Sequence, residues 1–161
     1  MAHNYWIGDS HLRKKHHLPA AFDTRVRENS DFHRFWGVRE TITLYHLDQK
    51  FEDKVEEVMS EAPAGPKLVT ISVGSNDIRK DASNSKVRRL MRRFINVVTE
   101  LLRHEQTVVV LISPIPDNKG FTNKYAEKLN EKLKIFVQGV DSDRMRFCNF
   151  REKCLDLNCD E

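Results

Sequence analysis

The strongest constraint in this chain is an alternation: short apolar or β-branched runs take turns with amphipathic stretches of helical period. "NYWIG" (4–8), "KLVTISVG" (67–74), "TVVVLIS" (107–113) and "MRFCNF" (145–150) read as strands, since brief apolar runs bounded by turn residues suit a covered sheet. "FHRFWGV" (32–38) is a weaker fifth, because it mixes charge with large aromatics. Between them, residues 47–62 put Phe51, Val55, Val58 and Met59 on one stripe. Residues 85–105 repeat Val87, Leu90, Met91, Phe94, Val98 and Leu101 at the same spacing. Residues 122–139 start at a Thr122 cap and stop at Gly139. Strands joined by helices of this length need crossover connections, and crossovers make a parallel sheet covered on both faces. The expectation is a single three-layer α/β/α domain over residues 1–161, a flavodoxin-like fold with five parallel strands in the order 2-1-3-4-5. Residues 11–31 fit least well, because Pro19 interrupts any helix there.

The totals narrow the function classes. With 161 residues, 39% hydrophobic and 32% charged, the chain has enough material for one core and a very polar surface. No apolar run reaches membrane-spanning length and the N-terminus lacks a signal-peptide layout, so a cytoplasmic location is expected. Cys148, Cys154 and Cys159 fall in the last fourteen residues, an odd number best read as free thiols, and their spacing offers no zinc site. No metal and no cofactor are expected. The net charge of +3 permits a polyanionic partner without requiring one.

In an open parallel sheet, ligands bind at the carboxyl ends of the strands, near the point where strand order reverses. The polar residues gather there. The first strand ends in Gly8-Asp9-Ser10, the second in Gly37, the third in Gly74-Ser75-Asn76-Asp77 and the fourth in Ser113-Pro114. A serine in a strand-to-helix turn has an exposed hydroxyl, and its own N–H can face an oxyanion. Asn76 and Gly37 are candidates for the two further donors. Each residue also has a plainer reading: Ser10 as a helix N-cap, Asp9 as a turn former, Gly37 as a turn, Asn76 and Asp77 as a loop start.

Together, "GDS" at 8–10, the glycine at 37, "GSND" at 74–77 and "LISPIPD" at 111–117 resemble the blocks of the SGNH hydrolases, also called GDSL esterases/lipases. The resemblance covers nearly the whole chain. It implies ester hydrolysis through an acyl-serine without a metal, with Ser10 as nucleophile and with Gly37, Asn76 and the Ser10 amide as the oxyanion hole. Asp9, His11, Gly74 and Asp77 would then line the substrate site. The family's Asp-x-x-His block and the helix after it are not found here, since "REKCLDLNCDE" follows the last strand. A serine without an imidazole base is a poor nucleophile, so the expectation is either a truncated copy whose catalytic histidine was left behind or a degenerate member, a pseudoenzyme of weak or no activity as these 161 residues.

None of the remaining histidines stands out as a substitute by position. His11 should leave the turn in another direction than Ser10; His16, His17 and His33 read as surface residues; His46 precedes a helix; His104 sits at the wrong end of the sheet. A different class of function also fits the residues. Arg88, Arg89, Arg92 and Arg93 cluster in one helix and "RKKHH" follows at 13–17, so a non-catalytic SGNH-like module that binds RNA or another polyanion is the alternative to an esterase acting on a small ester. The plain reading of that run is a solvated helix face. Exposed apolar surface left without the final helix would favour an interaction module.

Overall fold

The computed structural model describes residues 3–9, 39–79, 82–114, 124–140 and 143–149. Five strands are present: β1 (His3–Gly8), β2 (Arg39–Thr43), β3 (Lys67–Ser72), β4 (Thr107–Ile112) and β5 (Met145–Cys148). Every pairing is parallel and the order is β2-β1-β3-β4-β5. The helices are α1 (Gln49–Glu61), a single turn α2 (Ser75–Ile78), α3 (Asn84–Arg103) and α4 (Lys124–Gly139). This is the three-layer α/β/α arrangement that the alternation predicts.

One strand departs from expectation. The second strand runs over "RETIT" at 39–43 and not over 32–38, which lie outside the described residues. Its β-branched Thr41, Ile42 and Thr43 suit a pleated surface better than the mixed charge and aromatics upstream. The remaining elements match their expected spans within a few residues at each end, the usual scatter of frayed termini. The Thr122 cap lies outside the described residues.

The core shows why these residues form these elements. Phe51, Val55 and Met59 of α1, Phe94 and Leu101 of α3 and Leu129 and Leu133 of α4 are buried in one cluster with Ile7, Val69, Ile71 and Leu111 of the sheet. The register explains the selection. Ile7 pairs with Ile71, and Ile71 with Leu111, so the period of two places them on one face. Asp48 caps α1 through its carboxylate on the Phe51 N–H at 3.1 Å, and Ser83 caps α3 on the Lys86 N–H at 3.1 Å. At the other end of α3, Arg144 donates to the carbonyls of Leu102 at 2.9 Å and His104 at 3.0 Å, two acceptors that the helix itself cannot satisfy.

The order places the reversal between β1 and β3, since the chain steps to one side from β1 to β2 and then to the other side for β3. The carboxyl ends of those strands therefore flank the crevice where ligands of such sheets bind.

Candidate active site

The rim of the sheet is built from three strand tips. Gly8 ends β1 between its neighbours: its carbonyl accepts from the Leu44 N–H at 2.6 Å, and the next N–H, of Asp9, donates to the Ser72 carbonyl at 2.9 Å. Asp9 is fully buried. Its N–H bond to β3 fixes the start of the turn. Ser10 and His11 lie outside the described residues.

The tip of β3 is more fully defined. Gly74 has φ +105°, a conformation open chiefly to glycine, and turns the chain into α2. Ser75 and Ile78 are buried and anchor that turn, while Asn76 and Asp77 face the loop after β2. The Asn76 amide donates to the Tyr45 carbonyl at 3.0 Å. An amide nitrogen carries two N–H groups, and among the described residues this bond uses one of them. Asp77 accepts the Leu47 N–H at 3.0 Å on one oxygen, and its other oxygen lies 3.5 Å from His46 Nδ1. Gly74 has a packing role as well, because a Cβ there would sit 3.2 Å from Pro114 Cγ and 3.4 Å from Phe94 Cζ. Pro114 is itself fixed by the buried Asn130 side chain, whose amide donates to its carbonyl at 3.1 Å.

Gly37 does not come after β2 in the chain. It lies outside the described residues, and it comes before β2, whose carboxyl end leads instead into Leu44, Tyr45 and His46. The strand expected over 32–38 differs from the observed 39–43, so the residues at the tip of β2 are different ones. The same difference brings His46, expected only as a residue preceding a helix, close to the carboxyl end of β2. The signal that could have found it is the Thr-Ile-Thr alternation just upstream, which marks His46 as a residue at a strand's carboxyl end.

The arginine cluster divides. Arg93 donates to Glu52 at 2.9 Å and to Gln49 at 3.0 Å, which ties α3 to α1. Arg88, Arg89 and Arg92 are exposed. Arg88 and Arg92, with Met91, Ile95, Lys132, Ile135 and Phe136, line a groove of about 490 Å³ between α3 and α4. Among the described residues no cluster of three or more His, Cys, Asp or Glu side chains could hold a metal ion, and no helix is long and apolar enough to cross a membrane.

A five-stranded parallel sheet of order 2-1-3-4-5, with the sequence Gly-Asp-Ser beginning at the last residue of β1 and a Gly-x-Asn-Asp turn after β3, is the layout of flavodoxin-like α/β/α domains with their polar motifs at the strand tips. Residues 15–153 match the family model of GDSL-like lipases/acylhydrolases, and the chain belongs to this SGNH hydrolase family of esterase-type enzymes. The match begins after Ser10. Solved structures agree on the fold. A member of the lipolytic G-D-S-L family from Veillonella parvula superposes with a TM-score of 0.69 at 13% identity, over 99% of this chain and 83% of that one. AlinE4, an SGNH-hydrolase family esterase, gives 0.65 at 17% identity, over 96% of this chain and 79% of its own. A putative acylhydrolase from Bacteroides fragilis gives 0.56 at 20% identity, over 90% and 65%. No curated protein matches the sequence.

Proposed function

We propose that the chain is a serine esterase that hydrolyses small carboxylic esters through an acyl-serine at Ser10, with no metal or cofactor. The Asn76 amide and the Ser10 backbone N–H stabilise the oxyanion of the tetrahedral intermediate, since preorganised donors are the largest single aid to acyl transfer. The observation that supports this reading is the position of Asn76. It stands on a buried-anchored turn at the tip of β3, with one N–H given to the loop after β2 and, among the described residues, no partner for the other, beside the strand whose next residues are Asp9 and Ser10.

The test is hydrolysis of a short-chain nitrophenyl ester by the wild type and by Ser10→Ala. Loss of hydrolysis in the variant supports the reading, and equal rates in the two proteins remove it. A second reading is binding of RNA through the same domain. The exposed Arg88, Arg89 and Arg92 on successive turns of α3 favour it, and the engagement of Arg93 with Glu52 weakens it.

A further inference from the structure

The helices α3 and α4 lie side by side, and the cleft between them joins apolar surface to unpaired positive charge. Met91 and Phe136 form its floor, half-buried side chains that pack on the core. Beside them stand Ile95 at 39% and Ile135 at 58% exposure, two of the three large apolar side chains that the described residues leave in solvent. Arg88 and Arg92 of α3 and Lys132 of α4 line the same cleft and are exposed. Among the described residues none of these three cations has an ion-pair or hydrogen-bond partner.

The spacing in the sequence builds this surface. Arg88, Met91, Arg92 and Ile95 recur at i, i+3, i+4 and i+7, a second stripe on α3 beside the one that faces the core, and Lys132, Ile135 and Phe136 repeat the pattern on α4. Arg88 and Lys132 also line the next cavity along the cleft, of about 410 Å³, with Asn84, Lys128 and Glu131. Glu131 is the one acid along the two cavities, and Lys128 is taken up by Asn84, to whose side chain it donates at 2.8 Å. From Asn84 to Ile95 is three helical turns, about 16 Å, so the joint cleft has the length of a short helix.

We propose that this cleft docks an amphipathic helix of a protein partner, one whose aliphatic stripe is flanked by Asp or Glu side chains. Helices pack ridge into groove at axial separations of about 8–10 Å, so a third helix can seat an aliphatic ridge on Met91, Ile95, Ile135 and Phe136. Its flanking carboxylates then meet Arg88 and Arg92 on one side and Lys132 on the other. Charge and shape choose among the occupants. A second copy in a two-fold contact would set the three cations against the same three, which repel. A nucleic acid would satisfy the cations but lay phosphates and sugars over two isoleucines, and the one ring lining the cleft, Phe136, is half-buried and ill placed to stack a base. A bilayer is flat and does not follow a recess between two helices. The docking surface owes nothing to the ester chemistry at the strand tips and stands apart from it.

The probe is a fluorescein-labelled synthetic helix of about 14 residues, with leucines at i, i+3, i+4 and i+7 and glutamates on both flanks. Fluorescence anisotropy reads its binding to the full chain, beside a control peptide of the same composition whose leucines are dispersed. The striped helix should bind saturably, and the control at least about tenfold more weakly. Ile135→Ser should weaken binding about fivefold or more, the effect of truncating an apolar anchor. Arg88→Glu with Arg92→Glu should weaken it about tenfold or more and reduce its dependence on salt. Because these positions are exposed, the variants should keep the wild-type urea midpoint, which separates lost docking from lost folding. No saturable binding of the striped helix, equal binding of the two peptides, or wild-type affinity in Ile135→Ser would overturn the proposal. A dimer in sedimentation that Ile135→Ser dissolves would overturn it in favour of a second copy. Binding of an RNA oligonucleotide or of phosphatidylglycerol vesicles that is lost in Ile135→Ser, with the striped helix unbound, would overturn it in favour of those partners.

Discussion

Replacing Gly74 with alanine tests how the tip of β3 is held. Two separate costs are expected. The first is conformational: φ of +105° lies where residues with a Cβ are strained, by roughly 1–3 kcal/mol. Alanine returns about 0.4–1 kcal/mol of this by restricting the unfolded chain. The second cost is steric. The new Cβ would stand 3.2 Å from Pro114 Cγ, inside the optimal carbon separation of about 3.5–4.0 Å. A proline ring whose carbonyl is tied to Asn130 has little room to give, so we assign about 1 kcal/mol, the low end for overpacking.

The sum is about 2 kcal/mol. With a urea m-value of about 2 kcal/mol/M for a domain of this size, the midpoint should fall by about 1 M. Gly65→Ala is the control, since Gly65 has φ +117° with nothing within 4 Å of its Cβ position. It carries the conformational cost alone and should move the midpoint by about half as much. Urea unfolding followed by tryptophan fluorescence and circular dichroism reads both. Equal shifts for the two variants would refute the steric argument, and no shift for either would refute the conformational one.

Other perturbations follow from the same packing. Phe94→Ala empties a fully enclosed site against the sheet and should cost about 3–5 kcal/mol in the same unfolding assay. Arg144→Ala removes both side-chain donors at the end of α3 and should cost about 1–2 kcal/mol, against nearly nothing for the exposed Arg146→Ala. Arg93→Ala should cost up to about 1 kcal/mol through the loss of Glu52, while exposed Arg92→Ala stays near zero. If RNA binds, its affinity should fall as salt rises, and Arg88→Ala with Arg92→Ala should flatten that slope; a salt-independent affinity would remove the polyanion reading.

How far the sequence could be read depends on which signals are local. The apolar runs of β1, β3 and β4 and the stripe Val87-Leu90-Phe94-Val98-Leu101 were legible, because period and burial express the same constraint. The Gly74-to-Asp77 turn was legible too, since it follows a fully buried strand. β2 was not. It has five residues, begins with Arg-Glu and carries only three β-branched residues, while the aromatics upstream imitate a strand more loudly. The residues that follow the observed β2 are therefore Leu44 to His46, not those around Gly37. The contacts from Asn76 to Tyr45 and from Asp77 to Leu47 span about thirty positions, and no periodicity encodes a pairing at that distance.

The most direct check is to find the covalent intermediate. The protein would be mixed with nitrophenyl acetate, quenched in acid during turnover, digested and sequenced by mass spectrometry. Our account predicts one acetyl group on Ser10, absent from Ser10→Ala. An acetyl group found only on lysines or on another serine, or release of nitrophenol with Ser10 unmodified at every time point, would contradict it.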